Sequence, residues 1–223
     1  MTFPNAFNGV KKLFTSEILK LIAAVCAIVA AVAGIIALAG VEADAVVAGV
    51  GGGIATVIFG VASAVLLLIA YILKLVGLKK AGNDEPKFQQ AFLLAIFALI
   101  LSVVASFLSS LNVGNGVVDD IVSIFAAIAD ILIVVFVIQG IQNLAEKLNQ
   151  NGMAETGRKL LIIILVFYIL AIIATLVVII FGANVATGVI AGILAVVAQV
   201  LKMVGYIVFL VYLGKAKNML AAK

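Results

Sequence analysis

Six segments of this sequence are apolar over 22 to 25 residues each, the length that an α-helix needs to cross a bilayer. They cover approximately residues 17–40, 54–76, 88–111, 121–142, 160–181 and 189–213. The whole chain is 66% hydrophobic and 11% charged, far from the composition of soluble domains. The sequence therefore predicts an all-α, polytopic integral membrane protein with six transmembrane helices in one bundle.

The first sixteen residues have a different character. Phe3, Phe7 and Phe14 fall at helical spacing, and Lys11 and Lys12 occupy other sides of the same helix. This pattern is typical of an amphipathic helix that lies on the headgroups of an anionic leaflet. We expect a surface helix over residues 1–16, followed by a first span that starts with Ser16 as its N-cap.

The composition also excludes several classes of chemistry. The chain has no histidine, and its single cysteine, Cys26, lies inside an apolar run. Common metal ligands and disulfide pairs are therefore missing, and the two-carboxylate mechanism of intramembrane proteolysis lacks a second acidic residue at mid-membrane depth. We expect no enzyme activity, no cofactor, no metal site and no nucleic-acid partner.

The charges predict the topology. Thirteen of the fourteen basic residues lie at one set of helix ends, whereas the connections at the other set carry Glu42, Asp44, Asp119 and Asp120. Because cytoplasmic loops are enriched in lysine and arginine, both termini and the two longer polar loops, 79–87 and 143–159, are predicted to be cytoplasmic. We expect the chain to be a multi-pass protein of the cell membrane.

The six spans can also be grouped as three helical hairpins of about 60 residues each. Such repeats would share one orientation and be related by an axis along the membrane normal. The segments 134–138 and 207–211 resemble each other near the inner ends of helices 4 and 6. Apolar tracts also resemble one another by chance, so the sequence leaves true repetition open.

Small residues predict where helices approach one another. Ala23, Ala27, Ala30, Ala31 and Gly34 form a ridge on the first span, and helix 3 carries a seam of alanines and serines at steps of four and three. The triplet Gly51–Gly53 is interpreted as a flexible turn before the second span. Pro86 predicts the start of helix 3, because proline is favoured in a first helical turn.

Two charges stand apart from this pattern. Asp130 is the only charged residue of residues 121–142, and Lys202 lies within the last span. One charge at bilayer depth costs at least about 2.5–3.5 kcal/mol, which makes it a functional-site hypothesis that needs a partner. Helices 4 and 6 run in the same direction, and Asp130 and Lys202 lie roughly 18 and 16 Å from the inner ends of their predicted spans. They are predicted to form an ion pair if the two helices are neighbours.

Five other polar residues are predicted to complete this site, at positions Ser123, Tyr168, Thr175, Gln199 and Tyr206. Two interpretations stay open. In one, the cluster binds a small solute or ion in a transporter, a channel or a transporter subunit. In the other, Asp130 and Lys202 form a structural ion pair in an accessory membrane protein that binds lipid, a second copy or another membrane protein.

Overall fold

The computed structural model describes residues 2–42, 46–110, 117–181 and 185–221. Within these ranges, the side chains of residues 38–50, 105–106, 108–124, 127, 167–168 and 171–202 lie outside the description. The described ranges contain six α-helices, which are α1 (Pro4–Glu42), α2 (Val46–Ala81), α3 (Pro86–Ser110), α4 (Val117–Lys147), α5 (Asn151–Phe181) and α6 (Val185–Ala221). The all-helical prediction is confirmed, and α3 begins at Pro86 as predicted.

Five of the six helices contain a described segment that is long and apolar enough to cross a membrane. These segments are Pro4–Ala37, Gly51–Ala81, Pro86–Val104, Ile128–Lys147 and Met203–Ala221. The chain therefore fits a helical integral membrane protein. A span in α5, the orientation of the termini and the three-fold repeat stay predictions.

Helix α1 is continuous across the position where the sequence predicts a boundary. It runs without a break from Pro4 to Glu42, through both residues 1–16 and the first predicted span. The expectation that Ser16 is an N-cap is wrong, because the helix already begins at Pro4 and Ser16 lies buried in its interior. The location of residues 1–16 at the lipid surface stays a prediction.

The prediction of a long polar loop over residues 143–159 is also wrong. Helix α4 continues to Lys147 and α5 begins at Asn151, so only a three-residue turn joins them. Asn149 takes a positive φ of 57°, and the Gln150 amide donates a hydrogen bond to the Ala145 carbonyl at 2.8 Å. This is the geometry that ends many helices, and it lets a polar sequence stay helical up to the turn.

The chain divides into two compact units, of which the first described here comprises residues 11–77. In it, α1 and α2 pack antiparallel: the Ser63 hydroxyl donates to the Ala23 carbonyl at 3.0 Å, and the Thr56 hydroxyl lies 3.3 Å from the Ala30 carbonyl. The prediction of a small-residue ridge is correct at Ala23 and Ala30, which are both buried. Of its other members, Gly34 is half-buried beside Thr56, whereas Ala27 and Ala31 are exposed.

The interpretation of the glycine triplet as a turn is wrong, because all three glycines lie inside α2. A Cβ atom on Gly52 would lie 2.7 Å from the Ala33 carbonyl oxygen and 2.7 Å from the Ala37 amide nitrogen. Neither Gly51 nor Gly53 has any such neighbour within 4 Å. Gly52 therefore permits close approach of two helix backbones, which is a packing role and not a turn.

The other unit comprises residues 1–10 and 78–223. Its helices pack in chain order, α3 against α4, α4 against α5 and α5 against α6. The largest fully buried side chains described in it include Leu78, Phe88, Ile138, Ile141, Leu144, Ile164, Tyr212 and Leu213. We use the name closed end for the part of this unit formed by residues 3–10, the turn 82–85, the end of α4, the start of α5 and the end of α6.

Candidate functional site

Asp130 lies in the middle of α4 and its side chain is exposed. The residues on either side of it, Ala129 and Ile131, are buried, whereas Ile128 and Leu132 are exposed apolar residues. A step of two residues turns a helix by roughly 200°, so these two residues point away from the side that carries Asp130. The carboxylate is therefore not on the apolar outer face of α4.

Asp130 instead lies on the side of α4 that packs into the core. Positions 130, 134, 137, 141, 144 and 148 are spaced alternately by four and three residues and therefore lie on one side of the helix. Along this side Val137, Ile141 and Leu144 are buried, Val134 is half-buried and Asp130 is exposed. The core face of α4 is thus packed at the closed end, and Asp130 is the first residue of this series, counted from that end, to be exposed.

Of the other predicted site residues, the structure describes only the side chain of Tyr206, which is half-buried on α6. The side chains of Lys202, Gln199, Tyr168, Thr175 and Ser123 lie outside the described residues. The contact between Asp130 and Lys202 therefore stays a prediction.

The structure does relate the depths of α4 and α6 at one point. A Cβ atom on Gly157 of α5 would meet both the Tyr212 hydroxyl of α6 and the Gln142 side chain of α4. Tyr212 and Gln142 are therefore at similar depth. Counting outward at 1.5 Å per residue gives roughly 18 Å from Gln142 to Asp130 and roughly 15 Å from Tyr212 to Lys202. The two charged positions are consequently level to within about one helical turn.

A buried carboxylate that the sequence did not predict lies at the closed end. Glu85 is 3% exposed and immediately precedes α3. Its two oxygens accept from the Asn143 amide at 2.8 Å and from the Lys147 ammonium at 2.7 Å, both on α4. The spacing of Asn143 and Lys147 on one side of α4 was the only local signal, and it does not name a partner.

Apolar contacts reinforce this junction of α3 and α4. The Phe88 ring lies against Gly140, where an added Cβ would come within 2.8 Å of the ring. The Lys87 ammonium lies 5.5 Å from the centre of the Phe136 ring, a distance suited to a cation–π interaction. The start of α3 and the end of α4 are thus joined by an ion pair, a ring packed on glycine and a cation–π contact.

Asp84, the residue before Glu85, makes a separate contact. Its carboxylate accepts from the Ala6 backbone amide at 2.7 Å and from the Asn5 side-chain amide at 3.0 Å. The amides of a first helical turn have no partner within their own helix, and the positive end of the helix dipole favours an anion there. Asp84 therefore acts as the N-terminal cap of α1 from 78 residues away along the chain.

Further buried polar groups lie within residues 11–77. Glu17 is 6% exposed and Lys74 is 8% exposed, and the Glu17 carboxylate accepts from the Lys20 ammonium at 2.9 Å. The sequence places Lys20 and Lys74 near helix ends but does not show that Glu17 and Lys74 are buried. Buried charges are rarely tolerated without partners, so the buried Glu17 and Lys74 belong to the packing of the α1–α2 unit.

An exposed ion pair is present in the first turns of α5. The Lys159 ammonium lies 2.7 Å from the Glu155 carboxylate, one helical turn away. The hydrogen bond from Lys159, and then its charge, lower the pKa of Glu155. A lowered folded-state pKa means that the contribution to stability is present above the unfolded pKa and is lost as the pH falls through the folded value. Both side chains are exposed, so water and salt screen this contribution.

Gly157 offers a direct test of the packing between α5 and α6. We expect Gly157→Ala to lower the free energy of unfolding by about 1–3 kcal/mol, because the new methyl group overlaps the Tyr212 hydroxyl and approaches the Gln142 Cγ to 2.7 Å. Tyr212→Phe alone is expected to be nearly neutral, since its buried oxygen has no hydrogen-bond partner among the described residues. In the Tyr212→Phe background Gly157→Ala should cost less. Equal losses in both backgrounds, measured by unfolding in mixed detergent–SDS micelles, would contradict the contact.

No protein-family model, no curated protein and no solved structure matches the chain. In the described part of the chain, no three His, Cys, Asp or Glu side chains form a group that could hold a metal ion.

Proposed function

We propose that the protein is a non-enzymatic membrane carrier or channel that moves a proton or a small cation past Asp130. The observation that supports this most directly is the exposed position of Asp130 on the core face of α4, beyond the packed residues Val137 and Ile141. A carboxylate turned towards lipid would be costly and without use. A carboxylate in an opening of the bundle can exchange a proton or a cation with water.

Lys202 fits this function as the counter-charge. It lies three residues before Gly205 and seven before the buried Phe209, so helical periodicity gives it the same side of α6 as those residues. Its depth is within about one turn of that of Asp130. A lysine there would neutralise the carboxylate in the absence of solute and would release it when a cation binds.

The distribution of basic residues supports an orientation. The closed end carries the exposed basic residues Lys147, Arg158, Lys159 and Lys215. Under the positive-inside bias, this end faces the cytoplasm of a cell membrane, together with both termini. The opening at Asp130 would then face outward.

The experiment is a flux assay in proteoliposomes. Proton movement is followed with an enclosed pH-sensitive dye, and radiolabelled methylammonium serves as the smallest protonated amine. We expect wild-type protein to dissipate a pH gradient or to accumulate methylammonium, and Asp130→Asn to reduce that signal at least ten-fold, since the neutral amide takes up no proton and attracts a cation much less than a carboxylate does.

Glu146→Gln is the matched control, because Glu146 is an exposed carboxylate on the same helix at the closed end. It should keep the wild-type flux. Wild-type liposomes that behave like empty ones with both probes, or an Asp130→Asn variant with full flux, would refute the proposal.

A second candidate is an accessory membrane protein that binds a partner helix. Ala27 and Ala31 are small residues one turn apart on α1, and both are exposed. Such positions allow another helix to approach closely. A stable partner or a homo-oligomer in native mass spectrometry, lost on Ala27→Leu, would favour this function. Neither outcome needs Asp130.

A further inference from the structure

The first residues of α1 pack as part of the unit that contains Asp130. Residues 1–10 and 78–223 form one compact unit. Ala6 and Val10 are completely buried, whereas Asn8 and Lys11 are exposed. The N-terminal segment therefore packs into this unit with a narrow apolar face.

One carboxylate holds this segment in place. Both oxygens of Asp84 are used, one by the Ala6 amide at 2.7 Å and the other by the Asn5 side chain at 3.0 Å. Hydrogen bonds to a charged group are stronger than neutral ones, and this one also satisfies an amide that the helix leaves unpaired. Removal of the charge would loosen the segment without creating a cavity.

The neighbouring carboxylate, Glu85, is more deeply buried than Asp84, so its contact is fixed whereas that of Asp84 can be released. Glu85 is 3% exposed and is held by Lys147 inside the junction of α3 and α4. Asp84 is only half-buried, and its contact with Asn5 is exposed to water. Water can replace the partners of Asp84 more easily than those of Glu85.

A glycine lies where the segment would have to bend. Gly9 occupies the interior of α1, two residues before Lys11, where the other compact unit begins. Glycine in a helix interior weakens the helix by roughly 1 kcal/mol relative to alanine. Gly9 therefore lowers the cost of bending the helix at the base of the N-terminal segment.

We propose that residues 3–10 form a strap that closes the inner end of the bundle and that Asp84 holds this strap shut. This deepens the proposed function and rests on it for its role in flux: α4 is buried at Val137, Ile141 and Leu144, between Asp130 and the inner end of the helix. Release of the strap would be the first step in opening this end, and separation of these apolar side chains would follow it.

The test measures strap release without any solute. In a Cys26→Ala background, Ala6→Cys places a single thiol on the buried face of the strap, and its reaction with a water-soluble maleimide is followed. We expect slow labelling with Asp84 intact and about ten-fold faster labelling with Asp84→Asn. Glu146→Gln, which removes an exposed carboxylate at the same end, should label at the slow rate.

A second reporter guards against disturbance by the new cysteine. The chain contains no tryptophan, so Phe7→Trp gives a single emission signal on the strap. Asp84→Asn should shift this emission to longer wavelength, and Glu146→Gln should not. Unchanged labelling and unchanged emission in Asp84→Asn would overturn the strap.

The flux arm separates this inference from the proposed function. Asp84→Asn should raise the flux, and the combined variant Asp84→Asn with Asp130→Asn should abolish that increase. Faster labelling with no flux in any variant would leave the strap standing as a structural device and refute transport. Wild-type labelling in Asp84→Asn would refute the strap, whatever the flux.

Discussion

Gly52→Ala is expected to force α1 and α2 apart and to lower the free energy of unfolding by about 1–3 kcal/mol. The added methyl group would lie 2.7 Å from the Ala33 carbonyl oxygen and 2.9 Å from the Ala37 Cα. Both are backbone atoms, so no change of side-chain rotamer can relieve the overlap. One helix must shift, and the hydrogen bonds of Thr56 and Ser63 across the pair should weaken with it.

The neighbouring glycines give matched controls for this effect. Gly51→Ala and Gly53→Ala meet no atom within 4 Å, and alanine favours a helix by roughly 1 kcal/mol over glycine. Both variants should therefore be as stable as wild type or more so. Unfolding in mixed detergent–SDS micelles, followed by circular dichroism, gives the comparison. If Gly52→Ala unfolds at the same SDS fraction as its two controls, α1 and α2 do not approach closely at this point.

Lys147→Met is expected to lower the free energy of unfolding by about 2–3 kcal/mol, because it leaves the carboxylate of Glu85 buried with only Asn143 as its partner. The Glu85 side chain is 4% exposed, so it cannot turn to water. The Lys147 side chain is 45% exposed, which lowers the expected cost below that of a fully buried pair. Glu85→Gln should cost less, since the neutral amide still accepts from Asn143 and the freed ammonium reaches water.

Lys159→Met is the control for removal of a lysine at this end. Its ion pair with Glu155 is exposed on both sides, so its loss should leave the unfolding transition nearly unchanged. The order of stability is expected to be Lys159→Met, then Glu85→Gln, then Lys147→Met as the least stable. An equal effect of Lys147→Met and Lys159→Met would show that Glu85 is not buried as described.

The helices themselves were predictable because their signals are local. Long apolar runs predict the helices, and Pro86 predicts the start of α3. Helix ends were predicted less well, because the predicted helices stop where the sequence becomes polar. The structure continues α4 to Lys147, and the turn that follows contains Asn149, whose positive φ is available to asparagine more readily than to most residues.

The contacts of the closed end depend on partners that are distant in the chain. Ser16 has the chemistry of an N-cap, but α1 is capped by Asp84 from another loop. Pro86 predicts where α3 begins, yet Glu85 immediately before it binds a residue of α4. One sequence shows which residues can accept hydrogen bonds and does not show which distant donor they meet. Asp130 was recognisable because a lone charge in an apolar run is rare.

The cap of α1 has a consequence for the order in which the protein can be assembled. The amide of Ala6 is made early, but its acceptor Asp84 follows 78 residues later. At roughly 5–20 residues per second, the first turn of α1 waits about 4–16 s for its partner during synthesis. Glu85 then needs Lys147 from the end of α4. The contacts of Asp84 and Glu85 at the closed end are therefore complete only after α1 to α4 have been made, and until Asp84 is made the first turn of α1 lacks its cap.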